Sequence, residues 1–212
     1  MGQAIVAAAG GDPQVSINAQ VDAGDSIDAG MAACDVAIDF SAAAVVDEIC
    51  RLALQHRRPL VIGTTGHSTI QKEAIKTTAA SLPIVFASNF SVGVNALFWL
   101  TARAAKLLGK PFRAEIVETH HKMKKDAPSG TAKTLAEIIA SVNGALEVPV
   151  RSIREGEIVG EHNVIFTGPG EQLELVHRAG SRETFAVGAL AAAKWVLDKP
   201  PGLYSMQDVL GL

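Results

Sequence analysis

The densest chemistry in the chain lies in "HHKMKKDAPSGTAKTLAE", His120 to Glu137, where two histidines, three lysines and an aspartate fall within seven residues. "DAPSG" is turn chemistry, with Asp, Pro and Gly each favouring a tight reversal. Ser129 then reads as a helix N-cap. Gly130 and Thr131, just inside that helix, present backbone N–H groups at its positive end, and Gly lets a ligand come close. Lys122, Lys124 and Lys125 add cationic reach. A histidine beside such a site can donate a proton near neutral pH. The combination describes a pocket for a small carboxylate that must be protonated.

The same residues fit other readings. Charged loops are commonly just solvated. Zinc is a second option, although no third ligand stands at a recognisable spacing. A nucleic-acid patch is opposed by Glu115, Glu118 and Glu137 around the lysines. A phosphate loop is a fourth, but the Walker pattern is absent.

The elements around the stretch set its position. "AEIVETHH" reads as a strand in which Ile116 and Glu118 face one way and Glu115 and Val117 the other, ending at diverging His120 and His121. The helix after Ser129 carries an apolar face of Ala132, Leu135, Ile138, Ile139 and Val142. Upstream, "VNALFWLTARAAKLLG" (Val94–Gly109) is a long helix. Downstream, "VPVRSI", "EIVGEHNVIFTG" and "EQLELVHRAG" are strands without intervening helices, the mark of a mostly antiparallel sheet.

The first part of the chain alternates differently. "QVSINAQVD" (Gln14–Asp22), "CDVAIDFS" (Cys34–Ser41), "PLVIGTTG" (Pro59–Gly66) and "PIVFASNFSVG" read as strands, with helical spacing between the later ones. Ser68 and Gln71 fit a capping box. Short apolar strands separated by helices imply a parallel sheet covered on both faces, with ligands beyond the strands' carboxyl ends. Those ends are Asp22, "DFS", "GTTG" and "ASNF". A last helix, "ETFAVGALAAAKWVLDK", precedes a proline-stopped tail.

Bulk properties narrow the class. The 212 residues are 48% hydrophobic and 19% charged, with a net charge of -3, which fits a globular protein and argues against nucleic acid as main partner. No apolar run approaches the roughly 18 residues of a membrane helix. The opening "MGQAIVAAAGG" lacks the basic region of a signal peptide. Cys34 and Cys50 offer no disulfide framework and read as reduced thiols of a cytoplasmic protein.

"EIVETHHKMKKDAPSGTA" closely resembles the signature of the dihydrodipicolinate reductase family. "CDVAIDFS", "VIGTTGHS", "FASNFSVGVN", "IVGEHNVIFTGPGE", "HRAGSRETFAVGA" and "GLYSMQDVLGL" resemble the same family in the same order, over nearly the whole chain. The resemblance implies NADH- or NADPH-dependent reduction of 4-hydroxy-tetrahydrodipicolinate in lysine and diaminopimelate synthesis, without a metal. It implies that His120 is the proton donor and Lys124 the catalytic lysine, with His121, Gly130 and Thr131 touching substrate. It implies cofactor contacts at Gly63, Thr64, Thr65, Ala87, Ser88, Asn89 and Phe90. Asp22 would be the ribose-binding acid, and with no arginine after it NADH is the expected preference. Phe40 would line the cofactor groove, or serve as an ordinary core aromatic.

Two departures stand out. The family opens with a strand and a Gly-rich turn resembling G-x-x-G-x-x-G, whereas Met1-Gly2 resembles only the tail of that turn. On this reading "INAQV" and "VAIDF" pair directly or leave a gap, and cofactor binding is weaker than the family norm. The connection around Val148–Ile153 is also shorter than usual. The expected architecture is therefore α/β. A Rossmann-like parallel-sheet cofactor domain, its first strand missing, takes residues 1–91 and 183–212. An α+β substrate-binding and oligomerisation domain with a mostly antiparallel sheet takes 92–182. A homo-oligomer, by resemblance a tetramer, is expected. The rivals are a catalytically impaired homologue that still binds anions, and a reductase of another small cyclic dicarboxylate.

Overall fold

The computed structural model describes residues 1–144 and 147–212, and all of Asn143 but its side chain. In chain order the elements are α1 (Gly2–Ala9), α2 (Ile27–Ala33), β1 (Ala37–Asp39), α3 (Val46–His56), β2 (Leu60–Ile62), α4 (Thr69–Ala79), β3 (Pro83–Phe86), α5 (Val92–Leu108) and β4 (Arg113–His120). Then follow α6 (Gly130–Asn143), β5 (Val150–Arg154), β6 (Gly160–Gly168), β7 (Glu171–Ala179), α7 (Glu183–Val196), β8 (Gly202–Tyr204) and α8 (Met206–Leu210). They form two compact units, Met1–Ser91 with Glu183–Gly211, and Val92–Arg182 with Leu212.

In the first unit the strands run β1-β2-β3-β8, every neighbouring pair parallel. Parallel sheets need cover on both faces, and β2 shows why its residues are all apolar: Leu60, Val61 and Ile62 are each fully buried. Successive side chains point to opposite faces. Leu60, Ile62 and Ile84 pack with Ile49, Leu52, Ala53 and Ile75 of α3 and α4. Val61 and Val85 pack with Ile5, Ala186, Ala189 and Val196 of α1 and α7. The Ser68–Gln71 capping box opens α4 as expected.

Three local readings change. Gln14–Asp22 forms no strand, because its backbone makes no ladder with β1. Alternation in a sequence offers only one half of a pair; without an edge to join, Ile17 and Val21 stay exposed, and Val21 instead lies against Gly30 of α2. Residues read as a tail supply β8, which extends the sheet beside β3, and α8, capped by Ser205. The short α2 is also new, capped by Ser26.

The second unit has the strand order β5-β4-β6-β7. β4 pairs parallel with β5 and antiparallel with β6, and β6 pairs antiparallel with β7. Its core gathers Val94, Leu97 and Phe98 of α5 and Ala132, Leu135 and Ile139 of α6 against Ile116, Val164 and Phe166. Val142, expected on that apolar face, is 39% exposed, because it lies in the last turn of α6, beyond the packed stretch. Along β4 the buried positions are Ile116, Glu118 and His120, every second residue. One face of one strand thus changes from apolar core to buried acid to buried imidazole.

Candidate active site

Glu118 and His120 sit at the carboxyl end of β4, two residues apart and therefore on the same face. Glu118 is fully buried and His120 is 7% exposed. A glutamate Oε2 is bonded to Nδ1 of His120. Arg154, opposite His120 in the β4–β5 register, grips both oxygens of Glu118, Nη1 to Oε2 at 3.0 Å and Nη2 to Oε1 at 2.9 Å. Bidentate guanidinium–carboxylate pairs of this kind are among the stronger hydrogen-bonded contacts. Ser129 N donates to Glu118 Oε1 at 3.3 Å.

The other strand neighbour is β6. His162 stands opposite Glu118 in the ladder, and its ring meets that of His120 edge-on at 5.1 Å. His162 Nε2 lies 3.2 Å from Ser129 Oγ, which in turn accepts from Ala132 N and caps α6. Gly160 lies against the other nitrogen of His120: a Cβ there would stand 3.1 Å from Nε2. With Nδ1 engaged by Glu118, Nε2 is the atom that can exchange a proton with a ligand.

Burial pushes the Glu118 carboxyl up, but hydrogen bonds from Arg154, Ser152 and His120 outweigh it and hold the group at about 2. Burial pushes His120 below the ordinary histidine value; Glu118 opposes this, while the charges of Lys124 and Arg154 add to it. Burial, with the charge of His120, lowers His162 to about 3, so that it is neutral at physiological pH. The cluster is one buried anion, one guanidinium and two imidazoles of different character.

The loop after β4 carries the cations. Lys124 Nζ pairs with Asp126 Oδ1 at 2.8 Å, and Arg154 Nη2 donates to the Asp126 carbonyl at 2.6 Å. Lys122 and Lys125 are exposed. His121 diverges from His120 as expected and lines an open concavity of about 440 Å³ with Met123, Glu157, Val159 and Arg182. Gly130 opens α6 with no atom within 4 Å of where a Cβ would stand, so a ligand can approach the helix terminus. Among the described residues no three His, Cys, Asp or Glu side chains gather as a metal site.

In the first unit, the loops after β1, β2 and β3 are tied together. Gly63 N donates to the Asp39 carbonyl at 2.8 Å, and Ala87 N donates to that of Ile62 at 3.2 Å. Ser41 N donates to Thr64 Oγ1 and to Asp39 Oδ1, each at 2.9 Å. The Phe40 ring lies over Gly63, whose Cβ would come to 2.3 Å of it, and meets Phe90 edge-on at 5.3 Å. Phe40 is thus half-buried, part core and part loop surface. Thr65 and Ser88 are exposed beside it, Thr64 is buried, and Asn89 accepts from Ser91 N. Asp22 lies apart from a strand end, in an exposed turn where Asp25 N donates to its carbonyl and its own Oδ1 accepts from Ala23 N.

In the sequence Glu118 reads only as a flanking charge, Asp39 only as part of the strand end "DFS", and Arg154, His162 and Arg182 carry no signal of their own. The period of two in β4 already puts Glu118 on the face of His120. Arg154 and His162 come from β5 and β6 and need the register, while Arg182 lies in the turn before α7.

The chain matches the family model described as dihydrodipicolinate reductase, N-terminus, over residues 1–90, and the one described as dihydrodipicolinate reductase, C-terminus, over residues 93–210. It is 48% identical over 231 aligned positions to the 4-hydroxy-tetrahydrodipicolinate reductase of Akkermansia muciniphila, covering 100% of this chain and 94% of that one. It is 45% identical to the enzyme of the same name from Syntrophus aciditrophicus, covering 84% of this chain and 73% of that one. Among solved structures it is similar to the dipicolinate-bound dihydrodipicolinate reductase of Paenisporosarcina sp. TG-14, with a TM-score of 0.70 and 28% identity over 82% of this chain and 72% of that one.

Proposed function

The chain belongs to the dihydrodipicolinate reductase family, and on that premise we propose that it reduces 4-hydroxy-tetrahydrodipicolinate to tetrahydrodipicolinate, a step of lysine and diaminopimelate synthesis. It is a nicotinamide-dependent oxidoreductase, and its first unit is the cofactor domain. The observation that carries the reading is the buried His120, its Nδ1 occupied by Glu118, at the strand end that leads into the lysine loop and the α6 terminus.

The loops of the first unit fit the nicotinamide end of a dinucleotide. They offer an aromatic ring at Phe40, a tight glycine at Gly63, exposed hydroxyls at Thr65 and Ser88, and an Asp39 Oδ2 with no partner among the described residues. Gly63, Thr64, Thr65, Ala87, Ser88, Asn89 and Phe90 are assigned to this end. The reduced nicotinamide supplies a hydride when bound.

His120 holds the proton at Nε2 and gives it up as the substrate ring is reduced and water leaves. Lys124 and the N–H groups of Gly130 and Thr131 hold a carboxylate, the first by charge and the second through the positive helix end. His121 and Arg182, which share the concavity, are suited to the other carboxylate. An anionic substrate beside His120 raises its pKa, opposing the lowering by burial, so binding itself loads the donor.

Asp22 is assigned to the ribose hydroxyls. Asp25 Oδ2 accepts from Asp22 N in the same turn, so two carboxylates would meet a 2′-phosphate, and NADH is preferred. Tighter NADPH binding in a fluorescence titration would contradict that. A homo-oligomer, most simply a tetramer, is assigned to the second unit on the exposure of Val176 on the face of β7 away from the core; light scattering that gives a monomer mass would overturn it. Among the described residues no helix is long and apolar enough to cross a membrane, and Cys34 and Cys50 are free thiols, in keeping with a cytoplasmic enzyme. The test of the whole reading is steady-state oxidation of NADH or NADPH with the named substrate; no turnover with either cofactor rejects it.

A further inference from the structure

We propose that Glu118 is the positioning residue of this site: one buried carboxylate orients the proton-donating imidazole, the entry to the α6 terminus and, through Arg154, the lysine loop. The inference rests on the reading of His120 as proton donor and goes beyond it.

A fully buried carboxylate is costly to keep, and an apolar side chain like that of Ile116 on the same face would cost less. What Glu118 touches explains its presence. Its Oε2 takes Nδ1 of His120, which fixes the ring and leaves Nε2 on the side of Gly160. Its Oε1 takes Ser129 N, immediately before the first residue of α6. Its partner Arg154 also donates to the Asp126 carbonyl, and the carboxylate of Asp126 pairs with Lys124. The donor, the helix entry and the lysine loop therefore share one anchor. None of these links needs Glu118 to touch a ligand, so it is not a catalytic residue.

The anchor also has an electrical effect. The groups facing His120 are Glu118 on its own strand, Arg154 on β5, His162 on β6 and Lys124 in the loop. Burial, Lys124 and Arg154 all work against the imidazolium, and Glu118 is the group that favours it. Without the carboxylate, His120 would release its proton at lower pH and spend less time as an acid at neutrality.

The experiment is Glu118→Gln in the full chain. The His120 imidazole resonances are assigned by their loss in His120→Ala and titrated by NMR in the free protein. The expected result is a titration displaced to lower pH, together with an alkaline limb of kcat/KM displaced the same way, so that the loss of activity is greater above neutrality than below it. A folded Glu118→Gln whose His120 titrates as in the unsubstituted chain overturns the proposal, whatever its rate. If Glu118→Gln does not fold, Glu118→Gln/Arg154→Met removes both charges together and leaves neither uncompensated; the displacement should persist in the same direction, and its absence overturns the proposal equally. Lack of turnover in the unsubstituted chain would count against the reductase reading alone, because the imidazole titration needs no substrate.

Discussion

Ser129 Oγ and His162 Nε2 lie 3.2 Å apart although 33 residues separate them in the chain. Ser129 Oγ already accepts from Ala132 N, so its own proton is free to be given to an acceptor. Its neighbour His162 is kept neutral by burial down to about pH 3, so the two share a neutral hydrogen bond whose donor is set by the imidazole tautomer. The contact holds the capping side chain against β6 while its oxygen accepts from Ala132 N. Replacing Ser129 with Ala should cost about 1 kcal/mol of stability, the usual value of a lost cap. It should also weaken binding of a dicarboxylate at the α6 terminus. Urea unfolding and calorimetric titration with dipicolinate would check both, and unchanged values would mean that the cap supports neither.

Replacing His120 with Ala removes the general acid. Turnover should fall by on the order of 10²–10⁴ while far-UV circular dichroism stays as it was. Near-normal turnover would exclude His120 as the donor.

Lys124 and Lys125 are neighbours with different surroundings. Lys124 is half-buried and paired with Asp126, whereas Lys125 is exposed. Lys124→Ala should raise KM and lower kcat, because a cation opposite a carboxylate is lost. Lys125→Ala should change both little. Equal losses would show that only the overall charge of the loop counts.

Acid should destabilise the second unit in two overlapping steps. His162 titrates at 6.5 when free but at about 3 when folded, so the unfolded chain takes up its proton first as pH falls below 6.5. Glu118 is held at about 2 against an ordinary 4.5, so its contribution is complete above 4.5 and is lost as pH falls toward 2. Both groups make stability rise with pH over these windows. Urea midpoints measured from pH 7 down to pH 3 should fall throughout; a flat profile would contradict both assignments.

What the chain announced by itself was local. The Ser68–Gln71 box and the Ser129 cap need only residues within one helical turn, and both are present. The period of two along β4 placed Ile116 and Glu118 on one face, and the period of 3.6 after Ser129 placed Leu135 and Ile139 in the core. The lysine loop was legible because its residues are consecutive. Tertiary structure alone decided the partners of Glu118: Arg154 is 36 residues away and His162 faces Glu118 only through the β4–β6 register. Strand identity was a tertiary matter too. Gln14–Asp22 alternates like a strand and is none, since a ladder needs a second edge, whereas Gly202–Tyr204 has no pattern long enough to read and pairs with β3. Gly188 makes the same point, because only the fold brings it where a Cβ would stand 1.8 Å from the Phe90 carbonyl oxygen. Sequence carries interactions closed within a turn or a strand; those closed across dozens of residues depend on which edges and faces the folded chain brings together.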